Sequence, residues 1–147
     1  FPYIFMDQQG YPALLEARDI PLHGTPWAVE GAGGAIPVVT FDQGHGPIRS
    51  VGYRLGPVSY SSDVDAMDEA ALHAVRGSDL WIVDALRWTP HPTHAHVDRA
   101  LEWIERTGVP NAVLTNLHLD LDYRSLKSRL PAHVDVAHDG WTARFSL

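Results

Sequence analysis

The sequence predicts an α/β chain, a mixed sheet with helices packed on it, and three observations lead there. Residues 1 to 60 hold short β-branched and aromatic runs broken by glycine-rich turns. After them strand-like and helix-like periods alternate, and three successive strands end in Asp63, Asp84 and His118. Strands joined by turns pair antiparallel while strands alternating with helices pair parallel, so both patterns in one chain give a mixed sheet.

The elements follow in order. "PYIF" is expected to open as a strand, followed by "LEARDI", "WAVE", "AIPVVTF" and "SVGYRLG", with turns at "GAGG", "GHGP" and "LGP". "PVSYSSD" is a strand ending at Asp63; Met67, Ala71, Leu72 and Val75 then recur at helical spacing until Gly77. "LWIV" is a buried strand ending at Asp84. Thr93 is the expected N-cap of a helix whose apolar stripe is Val97, Ala100, Leu101 and Ile104, stopped by Gly108. "NAVLTN" is the next strand. Asp122 caps a helix carrying Tyr123, Leu126 and Leu130 that Pro131 terminates, and "HVDVA" with "WTARFSL" is expected to close as a hairpin.

Composition narrows the chemistry. The 147 residues fit one domain with its own core, and the absence of cysteine removes disulfides, thiolate catalysis and sulfur ligands, which points to the cytoplasm. A net charge of −7 disfavours general binding to nucleic acid or anionic membranes. No run approaches the roughly 18 apolar residues of a membrane span, and no signal peptide is legible. The chain lacks an initiating methionine and reads as a piece of something longer.

What remains is nitrogen and oxygen chemistry. "HPTHAH" places His91, His94 and His96 in a proline-broken loop, where imidazole serves as ligand, acid or base, or as an ordinary solvated side chain. His45 lies between glycines that allow close backbone approach. Asp63 is placed either to cap a helix or to bridge two metal ions, and Asp84 to accept a ring N–H from a histidine. For Asp120 and Asp122 capping is the better reading, which leaves His118 as the ligand of "NLHLDLDY".

Taken in order, "GAGGAIPVVTFDQGHGPIRSVGYRLGPVSYSSDV", "LWIVDALRWTPHPTHAHVDRALEWI" and "AVLTNLHLDLDY" resemble the second half of metallo-β-lactamase-fold hydrolases. Within them the resemblance is to the group similar to the phosphoribosyl cyclic phosphodiesterase of phosphonate breakdown. It covers most of residues 28 to 140. "THAHVDR" only imitates the family's HxHxDH signature, because its last position is Arg99 and no apolar strand precedes it.

The resemblance implies the C-terminal half of an αββα fold, with residues 1–147 a single partial domain lacking the HxHxDH half. It makes His45 a metal ligand, Asp63 the bridging carboxylate and His94 the group that protonates the leaving oxygen. Asn116 stands where the family has its last histidine ligand, so His118 is expected to take over that role, with Asp84 and Asn116 supporting the ligands from behind. The tips of His45, Asp63, His94 and His118 are then expected within about 10 Å of a common centre.

The implied function is a metal-dependent hydrolase, a phosphodiesterase cleaving a cyclic phosphate or similar small molecule through a metal-bound hydroxide. Two divalent ions, zinc or manganese, are implied in the complete enzyme, and an incomplete site in this chain, which is expected to be inactive alone. The implied partner is the missing N-terminal half; a homodimer stays open. The alternative is a non-catalytic binding or scaffold domain that pairs through its free sheet edge.

Overall fold

The computed structural model describes residues 2–8 and 10–146. Seven strands form one sheet in sequence order: β1 (Trp27–Gly31), β2 (Gly34–His45), β3 (Ile48–Leu55), β4 (Val58–Ser61), β5 (Leu80–Asp84), β6 (Ala112–Thr115) and β7 (Val134–Val136). β1 to β4 pair antiparallel and β4 to β7 pair parallel. The mixed sheet expected from the two halves of the sequence is therefore the one observed, with the change of pairing at β4.

The three parallel connections run through α1 (Glu69–Val75), α2 (Val97–Thr107) and α3 (Tyr123–Lys127). Successive crossovers that advance in one direction put their helices on one face of the sheet, because such connections are right-handed. One core results, in which Leu72 and Val75 of α1, Ala100 and Ile104 of α2 and Leu126 of α3 meet Trp81, Val83, Leu114 and Val136 of the strands. Asp68 caps α1 by accepting from the Ala71 N–H, and Asp122 caps α3 by accepting from the Ser125 N–H. Gly108 ends α2 in the left-handed region at φ 67°, as its place after the apolar stripe predicts.

Four local expectations are corrected. Pro2–Ile4 is a 3₁₀ turn, not a strand, and "LEARDI" forms none; residues 15–20 run on without a ladder partner between Pro12 and Pro21, and the first ladder starts at Trp27 after Pro26. Thr93 is not the cap of α2. The N-cap is His96, which makes no side-chain capping bond, because residues 93–95 are tied down elsewhere: Ala95 N–H donates to Val64, and the Ala95 carbonyl accepts from Leu86. α3 ends at Lys127, before Leu130 and Pro131.

The fourth correction concerns the closing hairpin. β7 pairs parallel with β6, and residues 141–146 join no ladder; Leu147 lies outside the described residues. Trp141, Ala143 and Phe145 instead line a cavity with Leu80, Asn111 and Val113, so the tail packs beside the starts of β5 and β6 and does not extend the sheet.

The topology fixes where chemistry can gather. β2 and β4 run in the same direction because each is antiparallel to β3, and β5 and β6 run with β4. The ends of β2, β4, β5 and β6 therefore open on one edge of the molecule, the place where α/β sheets bind ligands.

Leu114 is fully buried in β6 while Leu119 is 87% exposed beyond it. Leu114→Ala is expected to lower unfolding free energy by about 2–5 kcal/mol and Leu119→Ala by less than about 0.5 kcal/mol. Chemical denaturation of the two variants checks the assignment of this strand and its end.

Candidate functional site

Four strand ends bring together residues scattered along the chain. His45 closes β2, Asp63 follows β4, Asp84 closes β5 and Asn116 follows β6, while His94 comes from the loop between β5 and α2. One ligand atom from each of His45, Asp63 and His94 lies within 4.8 Å of the others, the only such group of three among the described residues. The His45 and His94 rings meet edge to face with centroids 4.9 Å apart.

Each imidazole is oriented by a bond to one nitrogen. His45 Nδ1 lies 2.6 Å from the Thr93 carbonyl oxygen, which can only accept, so Nδ1 carries the proton and Nε2 keeps its lone pair. His94 Nδ1 lies 2.6 Å from Asp84 Oδ2 and donates to it in the same way. Ring nitrogens held by a carbonyl or carboxylate are the usual arrangement behind a metal-ligating or proton-transferring histidine.

Asp84 is the centre of this support. Its side chain is 0% exposed. It accepts from His94, from the Val64 backbone N–H at 3.4 Å and from Asn116 Nδ2 at 3.3 Å. Removal from water pushes its carboxyl above the usual range, and the His94 bond, followed by the Val64 and Asn116 bonds, pulls back toward the charged form. The opposition makes Asp84 dependent on its partners.

Asp63 is 59% exposed, with Oδ1 3.9 Å from His94 Nδ1. It and Asn116 are the two non-glycine residues with positive φ among those described, at 52° and 60°. Asp and Asn tolerate this region better than most side chains, and such conformations gather at functional sites when the surroundings hold them.

The remaining site expectations divide. Asn116 Nδ2 donates to Asp84 Oδ1 at 3.3 Å and lies 3.4 Å from His94 Nδ1, whose proton is given to Asp84. His118 is outside the group of three; its Nδ1 faces Asp120 Oδ2 at 3.1 Å, on a half-exposed turn. His91 packs its ring against His94 with centroids 5.3 Å apart, and its Nδ1 accepts from the Thr93 N–H. Sequence reading missed Thr93 as the residue that orients His45 and Gly46 as the residue that lets it. A Cβ on Gly46 would stand 2.5 Å from Thr93 Cγ2, and Gly46 has φ +59°. Both demands select glycine, and the flanking "GHG" was the legible sign.

A sheet whose strand ends present two oriented imidazoles and a carboxylate over a buried aspartate defines a class: α/β proteins with a histidine and carboxylate site at the mouth of the sheet. Residues 1–116 match the model of the beta-lactamase superfamily domain, and the chain belongs to that family. It is similar to a solved diphosphatase of the PhnP family, with 28% identity and a TM-score of 0.80 over 91% of this chain and 51% of that one. The short form of human tRNase Z shares the fold at 16% identity and a TM-score of 0.58, over 76% of this chain and 44% of that one. A Porphyromonas gingivalis octanoyltransferase is 28% identical over 102 residues, 67% of this chain and 20% of that protein. The chain thus spans about half the length of the diphosphatase and a fifth of the octanoyltransferase. The metallo-β-lactamase fold and a relation to its hydrolases stand on these matches, and no helix among the described residues is long and apolar enough to cross a membrane.

Gly46→Ala is expected to displace Thr93 and release His45 Nδ1. Nitrogen chemical shifts of the neutral ring should move from a pure Nδ1–H form toward a mixture of both tautomers, with the sheet signals unchanged.

Proposed function

We propose that this chain supplies part of the metal site and the proton donor of a hydrolase that cleaves a small phosphodiester. The observation that carries this reading is the convergence of His45, Asp63 and His94 at the strand ends, with Asp84 fixing His94 from behind. The donor set suits a divalent ion such as zinc or manganese: imidazole nitrogen and carboxylate oxygen, with the open nitrogen of His45 set by its bond to Thr93. His45 and Asp63, with His118 as the further ligand, fit only part of what two ions need. We therefore read residues 1–147 as one partial domain whose remaining ligands come from a segment outside it.

The roles follow from orientation. His45 and Asp63 would hold metal, which when bound polarises the phosphoryl group and lowers the pKa of water. Asp84 accepts a hydrogen bond from the Nδ1–H of His94, so a second proton on His94 would reside at Nε2, the nitrogen free to meet the leaving oxygen. The buried carboxylate holds that ring in one orientation, and Asn116 donates to the carboxylate. His118 is the further ligand proposed at the end of β6. The 4.8 Å grouping favours a second reading, in which His94 is itself a ligand.

In the complete protein, His94→Ala is expected to reduce turnover of a cyclic phosphodiester by roughly 10²-fold or more with metal content unchanged. Loss of metal in that variant would assign His94 to the ion instead. His118→Ala should lower metal occupancy and activity together and Asn116→Ala should do less; the reverse order would move the last ligand to Asn116. A wild-type protein with bound metal and no hydrolytic activity would favour the non-catalytic scaffold. Elemental analysis beside steady-state kinetics reads all three variants.

A further inference from the structure

Gln43 is a polar side chain where the sequence of β2 calls for an apolar one. It is 0% exposed, and its Oε1 is buried without a hydrogen-bond partner among the described residues. Its Nε2 lies 3.3 Å from the Ser62 carbonyl oxygen and 3.2 Å from Ser50 Oγ. A carbonyl oxygen only accepts, so the nitrogen, not the oxygen, must face Ser62, and this settles the orientation of the amide. Ser50 Oγ in turn donates to the Asp63 carbonyl oxygen at 2.7 Å. Gln43 thus donates to the carbonyl before Asp63 and to the hydroxyl that grips the carbonyl of Asp63 itself.

Asp63 needs such a grip. At φ 52° it holds a backbone that a non-glycine residue occupies only when its surroundings impose it. Its side chain is more than half exposed, and its Oδ1 lies 3.9 Å from His94 Nδ1, outside hydrogen-bond distance. The Gln43 position is also built to admit the amide: Gly52 lies across from Phe41 on β3, and a Cβ there would stand 2.6 Å from Gln43 Oε1 and closer still to the Phe41 ring. A buried amide with an unpartnered oxygen is unfavourable for packing alone. Its two donated bonds are what the position gains.

We infer that Gln43 and Ser50 are positioning residues that lock the Asp63 backbone in its left-handed conformation and so aim its carboxylate at His45 and His94. The metal consequence rests on the proposed function; the backbone consequence does not. Hydrogen-bonded groups behind a metal ligand change affinity by roughly 10–100-fold when removed, and the same range is expected here although the bond is to the ligand's backbone.

The test uses this chain with Gln43→Leu, Ser50→Ala and Ser50→Thr, and with Asp63→Asn as the control. A positive φ gives a strong intraresidue amide to α-proton NOE, so the first readout is that NOE at Asp63. The second is Mn²⁺ alone, titrated while the paramagnetic broadening of His45 and His94 signals is followed. Gln43→Leu and Ser50→Ala are expected to weaken the NOE and to need about tenfold more Mn²⁺ for equal broadening, and Ser50→Thr, which restores the hydroxyl, to recover both. If Gln43→Leu does not fold, the two Ser50 variants decide. An unchanged NOE at Asp63 in Ser50→Ala overturns the inference. Failure of Mn²⁺ to broaden the wild-type signals, or no loss of broadening in Asp63→Asn, counts against the metal reading instead, and the NOE still decides the clamp.

Discussion

The site rests on one buried carboxylate. Asp84 sits where burial favours its neutral form, and the groups that keep it useful as an acceptor are those the site needs in place: His94, the Val64 amide beside Asp63, and Asn116 beyond β6. A charge removed from water is tolerated only when its partners are well placed, so Asp84 ties the ends of three parallel strands to one geometry. Moving any of the three leaves a buried charge short of a partner. The cluster is therefore held from behind by Asp84, although the Asp63 and Asn116 side chains are both exposed.

The loop between β5 and α2 is the second half of that arrangement. It is pinned by Ala95 to Val64 and to Leu86, by Arg87 to the Thr89 and Pro90 carbonyls, and by Thr93 to His45. Histidines in a free loop would spread over many rotamers. Here the loop's own backbone orients His45, and Asp84 orients His94, so two elements distant in sequence set each other's side chains.

Much of this was legible in the sequence. The apolar runs of β2 to β6 and the stripe of α2 followed from periodicity, and Asp63, Asp84 and His118 stood out because polar residues at strand ends are where open sheets bind ligands, whereas His94 stood in a histidine-rich loop and drew its role from the family resemblance. What was not legible depended on contacts between segments. Thr93 looked like a helix cap because its local context favours one, but bonds from Val64 and His45 claim that loop. Gln43 gave one faint sign, an amide within an apolar strand, and nothing local identified Ser50 or Asp63 as its beneficiaries. "WTARFSL" has strand composition, yet a strand forms only with a neighbour to pair with, and residues 141–146 pair with none, packing instead beside the starts of β5 and β6. His118 attracted attention as the better ligand by chemistry, while strand geometry put Asn116 nearer to Asp84 and His94.

The central claim is that Asp84 fixes His94 with its proton on Nδ1 and Nε2 open. Two-bond nitrogen to proton correlation spectra of the histidine rings, recorded where the imidazoles are neutral, test it directly. The wild-type chain should show His94 as the Nδ1–H tautomer alone, and Asp84→Asn should convert it to a mixture. A wild-type His94 that carries its proton on Nε2, or a tautomer indifferent to Asp84→Asn, would contradict the account.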